Sequence, residues 1–460
     1  MSLAHNNQKT KSVSNSNLNL EAEFNNYTVS QNCFYTYIED FKKSLEFKKL
    51  LQETISYKKA PNSKYTTHEI VEYLIDAIIQ GYFRFSHMDD FRDDPGVKKT
   101  KETDLPSEKT CRELLKQLPE ETIHELRELN RKLLASLAEN EPAREVIINF
   151  DDTVCTVFGN QQDSGNGYNP RYNGRASYKE KIAMIAYTNE LLATTLENGK
   201  HHSNHNFLEE FISQMKDALP DNWFIKRLRG DAGLFDQENF HYLEEHCIEY
   251  LIKARKVSSI QKIIDYVNNN QDQFPWRAID ETHSVTEIRV ALPAWEKDRR
   301  IVLVRKSLPK IETNGQLIIN LDEFKYQYQA IITNIDYLTP EEIFHDYNQR
   351  CDVENKIDEL KEGFAFDQNS QLNKKCNELF LLLKTIAYNL HNWFKRQILP
   401  EEMQHHEMST IRRKLYKVVG NIVGNGRYRH IKFPPCSWLK KVILHVRAAL
   451  KRFRKQVAFP

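Results

Sequence analysis

The sequence predicts an α/β protein. A mixed-sheet core is interrupted by an all-β insertion, preceded by a helical N-terminal domain and followed by a basic helical tail. Three observations carry this. Between residues 141 and 256 short apolar runs alternate with amphipathic stretches, the pattern of a sheet with helices on its faces. From 257 to 338 the alternation gives way to β-rich runs separated by charged turns. From Met408 to Pro460 there are 14 Lys or Arg and no Asp or Glu.

A chain of 460 residues calls for two or three domains, and a 40% hydrophobic share supports a sizeable core. The formal charge of +1 hides an asymmetry. Without the tail, 51 basic residues remain against 64 acidic ones. Seven widely spaced cysteines, with no C-x-x-C, give neither a disulfide framework nor a zinc site and fit a reducing cytosol. The first thirty residues lack the apolar segment of a signal peptide, and no apolar run reaches about 18 residues, so a cytoplasmic protein with no membrane partner is expected.

In chain order, residues 1–33 read as a polar, disordered leader and 34–140 as a helical domain, either of the kind that binds DNA or one for dimerisation and packing. Thr67 to Phe83 and Thr122 to Leu137 have helical spacing, and Ser107 caps a short helix between them. In 141–256, VIINFDDTVC, KIAMIAYT and ELLATTLENG read as neighbouring strands, and HNFLEEFISQMKDAL as a helix. WFIKRLRGDAGL is a further apolar run ending in acid, followed by the helix DQENFHYLEEH and the strand CIEYLIKARK. Asp151 and Asp231 therefore fall at strand ends, where open sheets place ligands. The insertion, 257–338, contains SVTEIRVALPAW, RRIVLVRKSL, GQLIINL and YQYQAIITNI as strands. The core resumes at 339–400, and 401–460 holds two amphipathic helices, IRRKLYKVV and SWLKKVILHVRAALKRFRKQ, suited to a phosphate backbone.

The stretch LTPEEIFHDYNQRCDVENKIDELKEGF reads as one helix, with Thr339 as N-cap, Pro340 at its first position and Glu342 completing a capping box. On one continuous helix Tyr347, Arg350, Glu354 and Lys361 fall at about 0°, 300°, 340° and 320°, a polar stripe beside the apolar Val353, Ile357, Leu360 and Phe364. The plainest reading of Arg350 and Glu354 is an i,i+4 surface pair worth a few tenths of a kcal/mol. Acids gathered in one partly desolvated place repel one another and call for hard cations. Mg²⁺ or Mn²⁺, as a pair of ions, is expected, and with it phosphoryl transfer on DNA.

The order Y-x2-R-x3-E-x6-K resembles the signature of DDE transposases of the insertion-sequence-four superfamily. NFDDTVCTVFGNQ, GYNPRYNGRASY, RLRGDAGL and YNQRCDVENKIDELKEGFAFD, in this order, resemble successive blocks of its insertion-sequence-1380 branch. The resemblance implies an RNase H-like core with a β-rich insertion ahead of the helix bearing the catalytic Glu. It also implies catalytic, metal-binding acids at Asp151, Asp231 and Glu354. The family pattern Asp-x-Thr selects Asp151 over Asp152. It further implies that Tyr347, Arg350 and Lys361 contact phosphates of the transposon end. Arg171, Arg175 and Lys179 read either as tracking a DNA backbone or as part of a solvated hairpin, and Trp295 and Trp276 either as core residues, the commoner case, or as platforms for a flipped base. His201, His202 and His205 have no such counterpart and read as a surface loop. The implied activity is cut-and-paste transposition by a homodimer on two paired double-stranded ends, in a bacterial-type cytoplasm at the nucleoid. The rivals are a stand-alone RNase H-like nuclease or resolvase and an inactive, transposase-derived repressor.

Overall fold

The computed structural model describes residues 29–139, 141–293, 295–308, 326–424 and 430–457. The expected strand GQLIINL lies outside them. Strand β1 (Val29–Ser30) is followed by seven helices: α1 (Tyr35–Ser44), α2 (Phe47–Thr54), α3 (Thr67–Ile79), α4 (Phe85–Asp93), α5 (Pro95–Lys101), α6 (Glu108–Gln117) and α7 (Glu121–Ala138). Helix α3 starts on a capping box between Thr66 and Glu69, and the Ser107 hydroxyl caps α6 by accepting from the Thr110 amide. Of the expected leader, residues 1–28 lie outside the described residues, and the remainder is built into the fold. Ser30 and Asn32 are buried and donate to Asp94 at 2.6 and 3.1 Å, tying the leader to the N-cap of α5.

The sheet begins with β2 (Arg144–Thr156), β3 (Ser177–Ile185) and β4 (Leu191–Asn198). A π-helical turn at Phe207–Phe211 leads into α8 (Ile212–Asp217), and β5 (Trp223–Gly230), α9 (Gln237–Glu245) and β6 (Glu249–Lys253) follow. Strands β2, β5 and β6 are mutually parallel, whereas β3 and β4 add to β2 as antiparallel hairpin partners.

The insertion departs from its sequence reading in two ways. It opens with a helix, α10 (Ser258–Asn269), which buries Ile260, Ile263, Ile264 and Val267 at helical spacing. Its strands, β7 (Arg277–Ala278), β8 (His283–Val290), β9 (Arg299–Ser307) and β10 (Tyr326–Thr333), are also part of the main sheet. Ile331 of β10 pairs with Lys253 of β6, so the strand order is β4-β3-β2-β5-β6-β10-β9-β8-β7. The physical reason lies in β6, whose Tyr250, Leu251 and Ile252 are all fully buried; left as an edge it would expose an apolar, unpaired backbone.

The expected single helix after the insertion is two, α11 (Pro340–Asn348) and α12 (Cys351–Phe364). Next come α13 (Lys374–Ile398), α14 (Glu401–Gln404), α15 (Met408–Ile411) with a π-helical turn to Tyr416, β11 (Gly420–Val423), β12 (His430–Lys432) and α16 (Ser437–Val457). Strands β1, β11 and β12 form a second, small sheet that joins leader to tail. The 25-residue α13 is buried along most of its length, and one apolar core runs from the N-terminal helices through the sheet to α16. Among the described residues no helix is long and apolar enough to cross a membrane.

The tail segment IRRKLYKVV is not the free amphipathic helix its pattern predicts. Arg412 is buried and donates Nε to the Ile79 carbonyl at 2.9 Å, Nη2 to that of Ile78 at 2.8 Å and Nη1 to that of Gly363. One guanidinium thus serves the C-terminal carbonyls of both α3 and α12, a favourable end of each helix dipole for a cation. Arg412→Ala would strand these carbonyls away from water, and a loss of about 3 kcal/mol in unfolding free energy is expected from urea melts. A loss below about 1 kcal/mol would mean that water replaces the guanidinium there.

Candidate active site at the carboxylate edge of the sheet

The parallel ladder between β2 and β5 ends at the pair Asn149–Arg229. Two residues further along each strand stand Asp151 and Asp231, which the shared register sets side by side. Strand β2 does not stop there, as its sequence implied, but runs on to Thr156 paired with β3 alone. Asp151 therefore stands within a strand, and Asp231 in the turn after one. The Asp231 Oδ1 accepts from the Gly233 amide at 2.8 Å, which fixes the carboxylate over that turn.

The third element arrives from α11 and α12. At Arg350 and Val353 the bonds tighten to i−3 contacts, Arg350 amide to Tyr347 carbonyl at 3.0 Å and Val353 amide to Arg350 carbonyl at 2.8 Å. Tyr347, Arg350 and Glu354 stay within electrostatic reach of one another, but the first two leave the solvent. Tyr347 packs with Ile343 and Phe344 in a satellite core cluster. Arg350, 9% exposed, turns to the sheet, and its Nη2 lies 2.9 Å from Asp151 Oδ1. Glu354 is 69% exposed and 3.9 Å from Arg350 Nη1, so the close partner of Arg350 is Asp151 and not its i,i+4 neighbour. The apolar half of the expected pattern is kept, with Val353, Ile357, Leu360 and Phe364 all buried.

The electrostatics of Asp151 are unfavourable as they stand. Burial pushes its carboxyl up, Arg350 pulls it back, and the charges of Asp231 and Asp152 push again, leaving it at about 7. Arg350 Nε is buried with no hydrogen-bond partner among the described residues. A buried carboxylate facing two more acids, beside a guanidinium with a donor to spare, is short of positive charge on one side and of an acceptor on the other. The donor set is all oxygen, which fits a hard divalent cation. The three carboxylates stand around Arg350; they are not among the groups whose ligand atoms already lie within 4.8 Å of one another.

Of the other expected site residues, Lys361 is half-buried near α12's end, 3.8 Å from Asp358. Arg171 and Arg175 are exposed in the β2–β3 loop, over the rings of Tyr172 and Phe158 at 5.6 and 5.1 Å. Lys179 is buried against Asp152 at 3.5 Å, so it is not the free backbone contact its sequence position implied. The Trp295 ring packs on Phe240 and Phe235, with Arg299 over its face, and Trp276 lies under Arg305. Neither indole is an open platform.

Two features lie outside the expectations drawn from the sequence. Asp346, on α11, takes Arg227 Nη1 on one oxygen and Arg229 Nη2 on the other; Arg229 also reaches Tyr187 Oη at 3.2 Å and Gln349 Oε1 at 3.1 Å. The signal was present in RLRGD, where two arginines alternate along an apolar strand and point the way Asp231 does. The second is Lys384, fully buried on α13, whose Nζ holds the Ala365 and Gln368 carbonyls at 2.6 and 3.0 Å and so fixes the turn that ends α12. Nothing in the apolar run around it announced that role.

A mixed α/β chain with carboxylates from three distant segments beside its parallel strands belongs to a class of folds that hold a polar site at a sheet edge. Residues 12–455 match the family described as "Transposase DDE domain group 1", and the chain belongs to this family of DDE transposases. No curated protein matches the chain. Among solved structures, the chain is similar to piggyBac transposase in a cryo-EM synaptic complex with hairpin DNA, at 10% identity and TM-score 0.44, over 93% of this chain and 84% of that one.

The raised Asp151 group sets a pH dependence. Its folded value lies above the ordinary carboxylate range, so in the absence of divalent cation its contribution to stability falls as pH rises from about 4 to about 7. Asp151→Asn removes that cost. In chelator the variant should melt above the native protein at pH 8, and the gap should close towards pH 5. Equal melting temperatures at both pH values would show that Asp151 is not electrostatically strained.

Proposed function

We propose that this DDE transposase binds the terminal inverted repeats of its own element, cleaves the ends and joins their 3′ hydroxyls to target DNA. The observation that carries this reading is the convergence of Asp151, Asp231 and Glu354 on Arg350, with Asp151 buried and raised to about 7. We place the chain in the insertion-sequence-1380 branch of the insertion-sequence-four superfamily, with an RNase H-like core, on the motifs around these residues. Asp151, Asp231 and Glu354 would hold Mg²⁺ or Mn²⁺. When bound, such ions activate a hydroxyl and stabilise the departing oxygen of a phosphodiester.

The remaining roles belong to side chains. Arg350, anchored by one nitrogen on Asp151 and with Nε to spare, grips the phosphate next to the reacting bond. Lys361 orients the DNA end, and Tyr347, buried at 7% exposure, acts on it only through Arg350 beside it. The exposed Arg171 and Arg175 supply backbone contacts ahead of the site. Helix α16 buries Leu439, Val442, Val446, Leu450 and Phe453 on the core and exposes Lys440, Lys441, Arg447 and Lys451, a cationic face for duplex DNA. Two copies pairing two ends complete the reaction.

Asp151→Asn, Asp231→Asn and Glu354→Gln should each abolish Mg²⁺-dependent end cleavage with near-native end binding in gel shifts. Asp152→Asn should keep cleavage, and the reverse result would move the first acid to Asp152. Arg350→Lys should fold and bind ends but cleave and join them on the order of 100-fold more slowly, because lysine loses the two-pronged grip. Near-native strand joining by that variant would return Arg350 to a plain ion-pair role. Cleavage without joining in the native protein would favour the nuclease reading.

Because Arg412 is built into the core, deleting the tail would not isolate its DNA contacts. Glutamine at Lys440, Lys441, Arg447 and Lys451 does so. Every phosphate that one of these cations neutralises steepens the fall of log affinity with log salt by about 0.9, so the fourfold variant should show a correspondingly shallower slope. An unchanged slope would assign α16 to packing alone.

A further inference from the structure

The loop after β4 does not behave as a simple surface loop. Glu197 lies one residue before the end of β4, and its Oε2 takes both His201 Nδ1 at 2.9 Å and His205 Nδ1 at 2.7 Å. The two imidazoles are stacked with centroids 3.6 Å apart. The three donor atoms lie within 4.8 Å of one another, while the side chains are 12%, 38% and 38% exposed, so the convergent point is open to solvent. His202, in contrast, is exposed as its sequence context predicted.

The carboxylate is held in place from the other side. Lys181, buried on β3, donates to Glu197 Oε1 at 2.9 Å and also contacts the His205 carbonyl, so Oε2 is the oxygen left to face the rings. An oriented carboxylate with a fixed partner behind it is the usual support of a ligating side chain. The loop is fixed further along as well. Asn204 Oδ1 accepts from Asn239 Nδ2 at 2.5 Å, and the Ser203 side chain occupies the space that a Cβ on Gly233 would need, at 2.5 Å. The His-bearing loop therefore rests directly on the turn that carries Asp231.

We propose that Glu197, His201 and His205 form a second metal site, for a borderline transition ion such as Zn²⁺, distinct in chemistry from the all-oxygen site at Asp151, Asp231 and Glu354. Two imidazole nitrogens and one carboxylate oxygen match the preferences of Zn²⁺ and of Cu²⁺ or Ni²⁺, and are poorly suited to Mg²⁺. Both histidines bind through Nδ1, so each carries its proton on Nε2, towards solvent. The carboxylate charge is already shared with Lys181, and water completes the shell on the exposed side. Bound there, the ion pins the loop that buttresses the Asp231 turn. Its role is structural, because the donors face away from the Arg350 side of the sheet: Glu197 pairs with Lys179 across β3–β4, on the face that carries Asp152.

The test uses the full-length protein with Zn²⁺ in a large excess of Mg²⁺, which occupies the acidic edge. Equilibrium dialysis should return one tightly retained Zn²⁺ per chain. His201→Ala and His205→Ala should each weaken retention roughly tenfold or more, while Glu354→Gln leaves it unchanged. With Co²⁺ as a visible probe, the native protein should develop ligand-field bands that both histidine variants lack. Circular dichroism in chelator verifies that the variants are folded. The proposal is overturned if the native protein retains no Zn²⁺, if retention survives in the double histidine variant, or if Glu354→Gln abolishes it. None of these results bears on DNA cleavage by the site at Arg350.

Discussion

The bridge made by Asp346 is the interaction on which the site's geometry depends. One carboxylate joins Arg227 and Arg229 of β5, and those arginines sit four and two residues before Asp231. The same carboxylate is one helical turn ahead of Arg350. The strand that ends in one acid is thereby fastened to the helix pair that delivers the guanidinium and the other acid. Isolated charges of this burial would be costly, and the side chains here satisfy one another. Removing any one leaves its partners charged and away from water.

The break at Gln349 and Arg350 follows from the same arrangement. A straight helix would carry Tyr347 and Arg350 on one solvent stripe. With the chain tightened there, Tyr347 joins Ile343 and Phe344 against the outer strands, while Arg350 points at Asp151. The acid edge is consequently held open around a resident cation. Asp151 is left with too little compensation to ionise readily at neutral pH, which favours the arrival of further positive charge.

Much of the fold is legible in the sequence because burial leaves a periodic mark. Apolar runs located β2 to β6 and α9, the Thr339–Glu342 capping box located the start of α11, and Leu439 to Phe453 marked the buried face of α16. What periodicity cannot show is which strand covers which. The β-rich segment looked self-contained, yet β10 closes the open side of β6 and turns two sheets into one. Helix α10 was obscured by its place among strands. At the site, motifs point to Asp151, Asp231, Arg350 and Glu354, but the pairing of Arg350 with Asp151 across 199 residues leaves no mark in them. Long-range ion pairs, including those of Asp346 and Lys384, leave only isolated charged letters in apolar surroundings. Such letters are the place to look.

The triple contact of Arg412 bears on how the protein comes into being. The carbonyls at the ends of α3 and α12 receive their partner from a residue that follows both helices in the chain. Strand β1, ahead of the first helix, likewise waits for β11. During synthesis the N-terminal helices and the helix bearing Glu354 leave the ribosome before either closure is available. Synthesis through Arg412 and β11 is therefore a structural checkpoint, and a chain cut short ahead of Arg412 lacks the fastening that unites its first helices with its acid-bearing one.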